Sequence, residues 1–213
     1  MKNKRRIWQI PFLLLLIFGS IYVIRQQQNT PYQRDEGFIF GTIYHITYQS
    51  DVNYQKEIEA ELQKVDNSLS PFNKTSIISR INRNEDVKVD NMFAEVFQLA
   101  EKISKETEGA FDITVAPMVN AWGFGFKTGN PPTQQTVDSL RAIVGFQKVT
   151  LKEEHVKKQN PHIMLDCSAI AKGYGSDIVA RFLKKKGIQN FMVEIGGEIV
   201  VNGNSDKQVP WRG

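Results

Sequence analysis

The chain has 213 residues, a length that allows one domain with a sizeable hydrophobic core and an anchor beside it. Its formal charge of +4 is uneven: residues 1–28 carry five basic residues and no acidic one, which leaves 22 of the 27 basic residues against all 23 acidic ones. A nearly neutral body gives no sign of a nucleic-acid-binding surface, and the single cysteine, Cys167, excludes an internal disulfide.

The N-terminal segment is predicted to be a membrane anchor. Residues 1–6 form a basic tail expected in the cytoplasm, and residues 7–24 are mostly apolar, close to the about 20 residues that a spanning helix needs. No cleavage site of small residues follows, so we expect an uncleaved, single-pass signal anchor in the cytoplasmic membrane, with the body outside. A cleaved signal peptide is the alternative. Residues 25–36 read as a polar linker, and 37–213 as the folded domain.

The folded domain is predicted to be α+β, with mixed β-sheets flanked by helices. A strand is expected over 38–48, helices over 54–69, 76–82 and from 91 to Gly109, and a helical turn over 118–122. A further helix is expected over 136–144. Strands follow at 149–151 and 163–165, joined across a charged turn, and at 191–195 and 199–201 around Gly196-Gly197.

Residues 166–175 are the stretch in which we predict the main binding site of the chain. A short apolar run ends at Asp166, and an amphipathic helix is predicted from Ser168, so Lys172 points outward near the first turn. The start of a helix offers unpaired N–H groups and positive potential, which suit a phosphate or diphosphate. We therefore expect a nucleotide diphosphate and a metal ion here. In the alternative reading, Asp166 caps the helix and Lys172 is a solvated lysine. Cys167 is expected to be a small filler under the turn, and an acidified, reactive thiol is the alternative for this residue.

Four segments, followed in order by Gly196-Gly197, resemble the ApbE family, the FAD:protein FMN transferases. The resemblance extends from Phe40 to Arg212. The segments are Phe40-Gly41-Thr42-x-Tyr44, Ser70-x-Phe72 with Ser76-x-x-Ser79-x-x-Asn82, Ala110-Phe111-Asp112-x-Thr114-x-x-Pro117-x-x-Asn120-x-Trp122-Gly123-Phe124, and Asp166-x-Ser168-x-x-Ala171-Lys172-Gly173-Tyr174.

The resemblance implies a T-fold-like flavin transferase domain that uses FAD as substrate together with Mg²⁺. Such enzymes attach FMN through a phosphoester to a Thr or Ser of an exported or membrane flavoprotein and release AMP. It further implies that the carbonyl of Ala169 is a metal ligand and that the following residues bind the flavin nucleotide: Phe40, Phe72, Ala110, Phe111, Asp112, Asp166 and Lys172.

The family's side-chain metal ligands, an Asp and a Thr in a late motif, and a late His are expected beyond Gly213. The catalytic residues thus stay unassigned, the domain is expected to be incomplete at its C-terminus, and we expect no activity from these residues alone. Two further functions stay open. One is an FAD pyrophosphatase that gives free FMN and AMP, and the other is a non-catalytic flavin-binding protein.

Overall fold

A computed structural model describes residues 11–21, 30–124 and 131–212 of the chain. Residues 11–21 are helical. The elements that follow are β1 (Tyr32–Ile39), β2 (Thr42–Gln49), α1 (Gln55–Leu69), α2 (Ile77–Asn82), α3 (Asn91–Glu106), α4 (Ala116–Ala121), α5 (Gln134–Arg141), a 3₁₀ turn (Phe146–Lys148), β3 (Val149–Lys152), β4 (His155–Lys158), α6 (Ser168–Lys185), β5 (Phe191–Ile195) and β6 (Glu198–Asn202).

Strand pairing confirms the α+β class but not the predicted mixed sheets. The larger sheet has the order β1-β2-β5-β6, and β3 pairs with β4 in a second sheet. All of these ladders are antiparallel. Parallel pairing within the described residues is confined to an isolated bridge between Val115 and Met164. The larger sheet therefore consists of two hairpins, β1–β2 and β5–β6, joined by the antiparallel pairing of β2 with β5, and the smaller sheet is a single hairpin.

The single strand expected over 38–48 is a hairpin. Phe40 and Gly41 both have positive φ, 52° and 75°, which is the backbone signature of a two-residue hairpin turn. The chain therefore reverses after Ile39, and β1 begins at Tyr32. Residues 32–36, which were assigned to the linker, belong to this strand, and Asp35 is buried. The rest of the predicted linker up to residue 29 lies outside the described residues.

The second strand prediction is also partly wrong. β3 does not pair with residues 163–165 but with β4, which lies inside the segment expected to be a charged turn. The reversal takes only Glu153 and Glu154, with φ values of 47° and 60°. Ile163 and Leu165 are buried, but residues 163–165 form no strand, apart from the bridge through Met164. An apolar run of three residues marks burial here without marking a strand.

Helix α6 joins the two hydrophobic clusters of the domain. On one side, Val179 and Leu183 pack with α1 and the inner face of the larger sheet. On the other side, Ala171 and Tyr174 pack with the helices α2 and α3 and the β3–β4 hairpin. Phe40, at the β1–β2 turn, packs against both clusters. This central position fixes the N-terminal turns of α6 relative to every neighbouring element.

The predicted membrane anchor falls only partly within the described residues. Residues 1–10 and 22–29 lie outside them, and the helix over 11–21 has exposed side chains. Across the ranges 11–21, 30–124 and 131–212, no helix has both the length and the apolar character needed to cross a bilayer.

Candidate functional site

The turn that leads into α6 is held by Asp166. Its backbone N–H donates to the carbonyl of Ile113 at 2.7 Å, and its Oδ1 accepts from the N–H of Ser168 at 2.7 Å. The capping interaction considered for Asp166 is therefore present, and it satisfies one of the unpaired donors at the start of the helix. The carboxylate also borders a cavity beside the helix.

Cys167 lies beneath this turn and is fully buried. Burial, followed by the nearby charge of Asp166, raises the pKa of the thiol to about 12. The thiol thus stays protonated and unreactive at neutral pH. The structure agrees with the interpretation of Cys167 as a small filler under the turn.

Two adjoining cavities run across the first two turns of α6, and together they form what we call the α6 groove. The cavities have volumes of about 150 Å³ and 200 Å³. Pro71, Phe72 and Ser168 line both of them. The smaller cavity is completed by Phe40, Ser70, Ala171 and Lys172. The larger one is completed by Asn82, Ala116, Val119, Asn120, Phe124, Leu165 and Asp166.

Phe72 stands between the two cavities with 66% of its surface exposed. The turn that carries it is fixed by serine hydroxyls: Ser76 Oγ donates to the Ser70 carbonyl at 2.6 Å, and Ser79 Oγ donates to the Pro71 carbonyl at 3.2 Å. Ser76 also caps α2 by accepting from the N–H of Ser79. Ser76 and Ser79 therefore hold the turn that presents an aromatic ring at the groove, and neither of these two serines lines the groove.

Lys172 borders the smaller cavity, which Phe72 also lines. Its Nζ donates to the carbonyl of Gly196 at 3.1 Å and lies 3.9 Å from Oε1 of Glu198. Its side chain is only partly exposed. An ammonium group in this position can meet an anionic ligand in the groove, and its charge is only partly offset by Glu198.

Phe40 closes the end of the smaller cavity. The ring lies so near α6 that a Cβ added to Gly175 would stand 2.6 Å from Cε2 of Phe40. A glycine is therefore needed at this position of the helix to admit the aromatic ring. The positive φ of Phe40 turns its side chain inward from the tip of the hairpin.

The structure brings four of the seven predicted nucleotide-binding residues to the groove and leaves three away from its lining. Phe40, Phe72, Asp166 and Lys172 line it, whereas Ala110, Phe111 and Asp112 line neither cavity. Ala169 is exposed in the first turn of α6, beside Ser168.

The carboxylate of Asp112 is occupied by hydrogen bonds within the protein. Its Oδ1 accepts from both the N–H and the hydroxyl of Thr114, and its Oδ2 accepts from the N–H of Phe146, each at 2.7 Å. The Thr114 hydroxyl in turn accepts from the N–H of Gly145. Asp112 thus ties two loops together through its hydrogen bonds with Thr114 and Phe146. A contact with the nucleotide stays a prediction.

Several groove residues were inside the quoted motifs but received no role from the sequence. Asn82, Asn120 and Phe124 line the larger cavity. Their spacing in the motifs was a usable signal, since polar and aromatic residues at fixed positions in turns often serve a site. What the pattern did not reveal is that residues from α2 and α4 meet at the start of α6.

A divalent ion has few candidate ligands in this part of the protein. Mg²⁺ prefers six oxygen ligands in a tight octahedron. The described residues contain no cluster of three or more His, Cys, Asp or Glu side chains that could hold a metal. Asp166 and the carbonyl of Ala169 therefore do not by themselves provide a Mg²⁺ site.

The fold of the described residues is similar to that of solved flavin transferases. The chain resembles the Flavin Transferase ApbE from Vibrio cholerae with a TM-score of 0.81 and 36% identity, over 86% of this chain and 63% of that one. It resembles the apo form of the Pseudomonas stutzeri flavinyl transferase ApbE with a TM-score of 0.79 and 28% identity, over 86% and 64%.

Residues 40–212 match the ApbE family, and the chain belongs to this family. The FAD:protein FMN transferase of Vibrio cholerae is 40% identical over 161 residues, which is 73% of this chain and 48% of that protein. The FAD:protein FMN transferase of Haemophilus influenzae is 41% identical over 167 residues, 74% of this chain and 48% of that protein. The chain spans about half the length of these relatives.

Proposed function

We propose that this chain carries the flavin-nucleotide-binding part of an FAD:protein FMN transferase. The observation that carries the proposal is the convergence of Phe40, Phe72, Lys172 and the N-terminus of α6 on one groove. An aromatic ring, a cation and the positive end of a helix each suit one part of a flavin dinucleotide. The names of the relatives agree with this assignment.

Each groove residue has a proposed task. Phe40 and Phe72 pack against a flat ring of FAD, while Lys172 and the first turn of α6 face the diphosphate. Asp166 accepts a hydrogen bond from the ligand with the oxygen that does not cap Ser168. Ala110, Phe111 and Asp112 are proposed to approach the nucleotide outside the two cavities.

The proposed reaction is a phosphoryl-type transfer. The hydroxyl oxygen of a Thr or Ser in the acceptor forms a bond to the FMN phosphorus and loses its proton to solvent or to the AMP phosphate. The bond from that phosphorus to the AMP oxygen breaks, and AMP leaves. Positioning and charge stabilisation do most of the catalysis in such reactions. Lys172 and the helix N-terminus would stabilise charge on the diphosphate.

Mg²⁺ is part of the proposal, with the Ala169 carbonyl as one ligand and with side-chain ligands from residues other than the described ones. When bound, the ion would neutralise the diphosphate and steady the leaving phosphate. Calorimetric titration of FAD into the protein, with and without Mg²⁺, tests this part separately from the rest of the proposal. Equal FAD affinity with and without Mg²⁺ contradicts it.

The acceptor is proposed to be an exported or membrane flavoprotein, with this protein anchored in the cytoplasmic membrane through residues 7–24. Membrane fractionation and protease accessibility of intact cells test the placement. Recovery of the full-length protein in the soluble cytoplasmic fraction contradicts the anchor without affecting the groove.

The function is tested in two steps with the purified full-length protein, including the residues that follow Gly213. Quenching of flavin fluorescence measures FAD binding, and incubation with Mg²⁺ and an acceptor that carries a target Thr is followed by denaturing electrophoresis. A fluorescent acceptor band together with released AMP supports the transferase. Free FMN and AMP identify a pyrophosphatase, bound FAD without turnover indicates a flavin-binding protein, and absence of FAD binding overturns the proposal.

A further inference from the structure

The turn between β5 and β6 is built from two glycines and lies against the groove lysine. Gly196 and Gly197 have φ values of 55° and 92°, as a two-residue hairpin turn requires. The N–H of Gly196 donates to the carbonyl of Ile43 at 3.1 Å. A Cβ on Gly196 would lie 2.7 Å from Cγ2 of Thr42 and 3.2 Å from Cδ of Lys172. The turn is thus packed tightly between β2 and the lysine.

Glu194, at the end of β5, holds this turn from the outer face of the sheet. Its Oε1 accepts from the N–H of Gly197 at 2.7 Å, and its Oε2 lies 2.8 Å from Nδ1 of His45 on β2. The hydrogen bond with His45, and then that with the Gly197 N–H, lowers the pKa of the Glu194 carboxyl. The carboxylate therefore bridges the turn and the neighbouring strand.

We infer that Glu194 is a positioning residue for Lys172. By binding the Gly197 N–H, it fixes the turn whose Gly196 carbonyl accepts from the Lys172 ammonium at 3.1 Å. The inference rests on the proposed function, because it assigns Lys172 to the diphosphate of FAD. Glu194 itself does not line the groove, so it acts through the turn.

The physical advantage of this arrangement is preorganisation. A lysine side chain has several rotatable bonds, and ordering it at the moment of binding reduces affinity. The Gly196 carbonyl, at 3.1 Å, holds the ammonium beside the groove before a ligand arrives, whereas the Glu198 carboxylate lies farther away, at 3.9 Å, on a side chain that is more than half exposed. Fixing the turn therefore favours the orientation in which Lys172 meets an anion.

The experiment is a double-mutant cycle on FAD affinity in the full chain. We expect Glu194→Ala to weaken FAD binding about fivefold, and we expect the same substitution to have no further effect when Lys172 is already alanine. Glu194→Gln keeps an oxygen that can accept from Gly197 and is expected to stay within about twofold of the wild type. Glu36→Ala is the matched control, since Glu36 is exposed and lies opposite His45 on β1.

The outcomes separate the two proposals. Wild-type protein that binds no FAD overturns the proposed function and this inference with it. Wild-type binding combined with unchanged affinity in Glu194→Ala overturns the inference alone. So do losses that add in the double variant, because these would show that Glu194 acts on folding of the hairpin rather than through Lys172.

Discussion

The side-chain amide of Asn82 forms two hydrogen bonds with the backbone of Leu165. Its Nδ2 donates to the Leu165 carbonyl at 2.9 Å, and its Oδ1 accepts from the Leu165 N–H at 2.7 Å. Leu165 is fully buried and directly precedes Asp166, so both polar groups of its backbone need partners. The last residue of α2 thus takes the place of a neighbouring strand and fixes the segment that enters the groove.

Replacing Asn82 with alanine is expected to destabilise the domain. The substitution leaves a buried N–H and a buried carbonyl without their partners, which costs about 1–3 kcal/mol of the free energy of unfolding. Chemical denaturation monitored by tryptophan fluorescence measures this. Asn91→Ala is the matched control, because Asn91 is exposed at the start of α3, and a surface substitution should stay within about 0.5 kcal/mol. Equal stability of the two variants contradicts the structural role of Asn82.

Asp166 has two proposed roles that a pair of substitutions can separate. Asp166→Asn keeps an oxygen that can accept from Ser168 and removes the charge, whereas Asp166→Ala removes both. We expect both variants to weaken FAD binding by about 1–3 kcal/mol if the carboxylate forms one charged hydrogen bond with the ligand. Only the alanine variant is also expected to lose stability, by about 0.5–2 kcal/mol of the free energy of unfolding, because it lacks the helix cap. FAD affinity that is unchanged in Asp166→Asn would leave Asp166 as a helix cap only.

Lys172 is expected to contribute to FAD binding through its charge. The loss of affinity in Lys172→Ala should therefore be larger at low salt than at high salt, because salt screens the attraction to the diphosphate. Titrations of FAD fluorescence across a series of salt concentrations measure this. Lys184→Ala provides the control, since Lys184 is exposed in the last turn of the same helix. A loss that does not depend on salt would indicate a packing role for the Lys172 side chain.

Sequence patterns predicted most of the helices and the chain segments that contribute to the site. They did not predict which strands pair with each other. The helix predicted from Ser168 is present as α6, and the glycine pair is a hairpin turn, because both depend on neighbouring residues. The β1–β2 hairpin was missed because Phe40, unlike Gly41, is a residue that rarely adopts positive φ. The conformational preference of a single residue does not predict a strained turn that is stabilised by tertiary packing, as it is here by the contact of the Phe40 ring with Gly175.

The groove itself illustrates what a linear pattern leaves out. The motifs named Phe40, Phe72, Asp166 and Lys172, and these four do meet at α6. Asp112 was named by the motifs in the same way, yet its carboxylate oxygens accept hydrogen bonds from the backbone N–H groups of Thr114 and Phe146. A short acidic side chain near a turn serves equally well as a cap or as a ligand group, and only its three-dimensional partners distinguish the two.

Glu95 on α3 makes the stability of the domain sensitive to acid. Its carboxylate accepts from Arg181 through two bonds at 2.9 Å and 2.7 Å and from the buried Tyr174 hydroxyl at 2.8 Å. The bonds with Arg181, and then that with Tyr174, lower the pKa of Glu95 below its ordinary 4.5. A lowered pKa in the folded state stabilises the protein above the unfolded-state value, and this contribution is lost as the pH falls through the folded-state value.

We therefore expect the free energy of unfolding to fall more steeply below about pH 5 in the wild type than in Glu95→Gln. Glu101→Gln is the control, because Glu101 pairs on the helix surface with the exposed Lys105, and such a pair contributes little. Denaturation curves at a series of pH values give the comparison. Parallel pH profiles for wild type and Glu95→Gln would show that the carboxylate has no part in acid sensitivity.

Cys167 is expected to resist thiol reagents while the protein is folded. Its side chain is fully buried, and burial raises the pKa of the thiol to about 12, so both access and thiolate content are low at mildly alkaline pH. Because the chain has one cysteine, labelling with an aromatic disulfide reagent reports on this residue alone. We expect one thiol per chain to react in concentrated guanidinium chloride and almost none in buffer. Prompt labelling of the folded protein would mean that the turn below Ser168 opens readily, which is incompatible with a preformed binding surface at the start of α6.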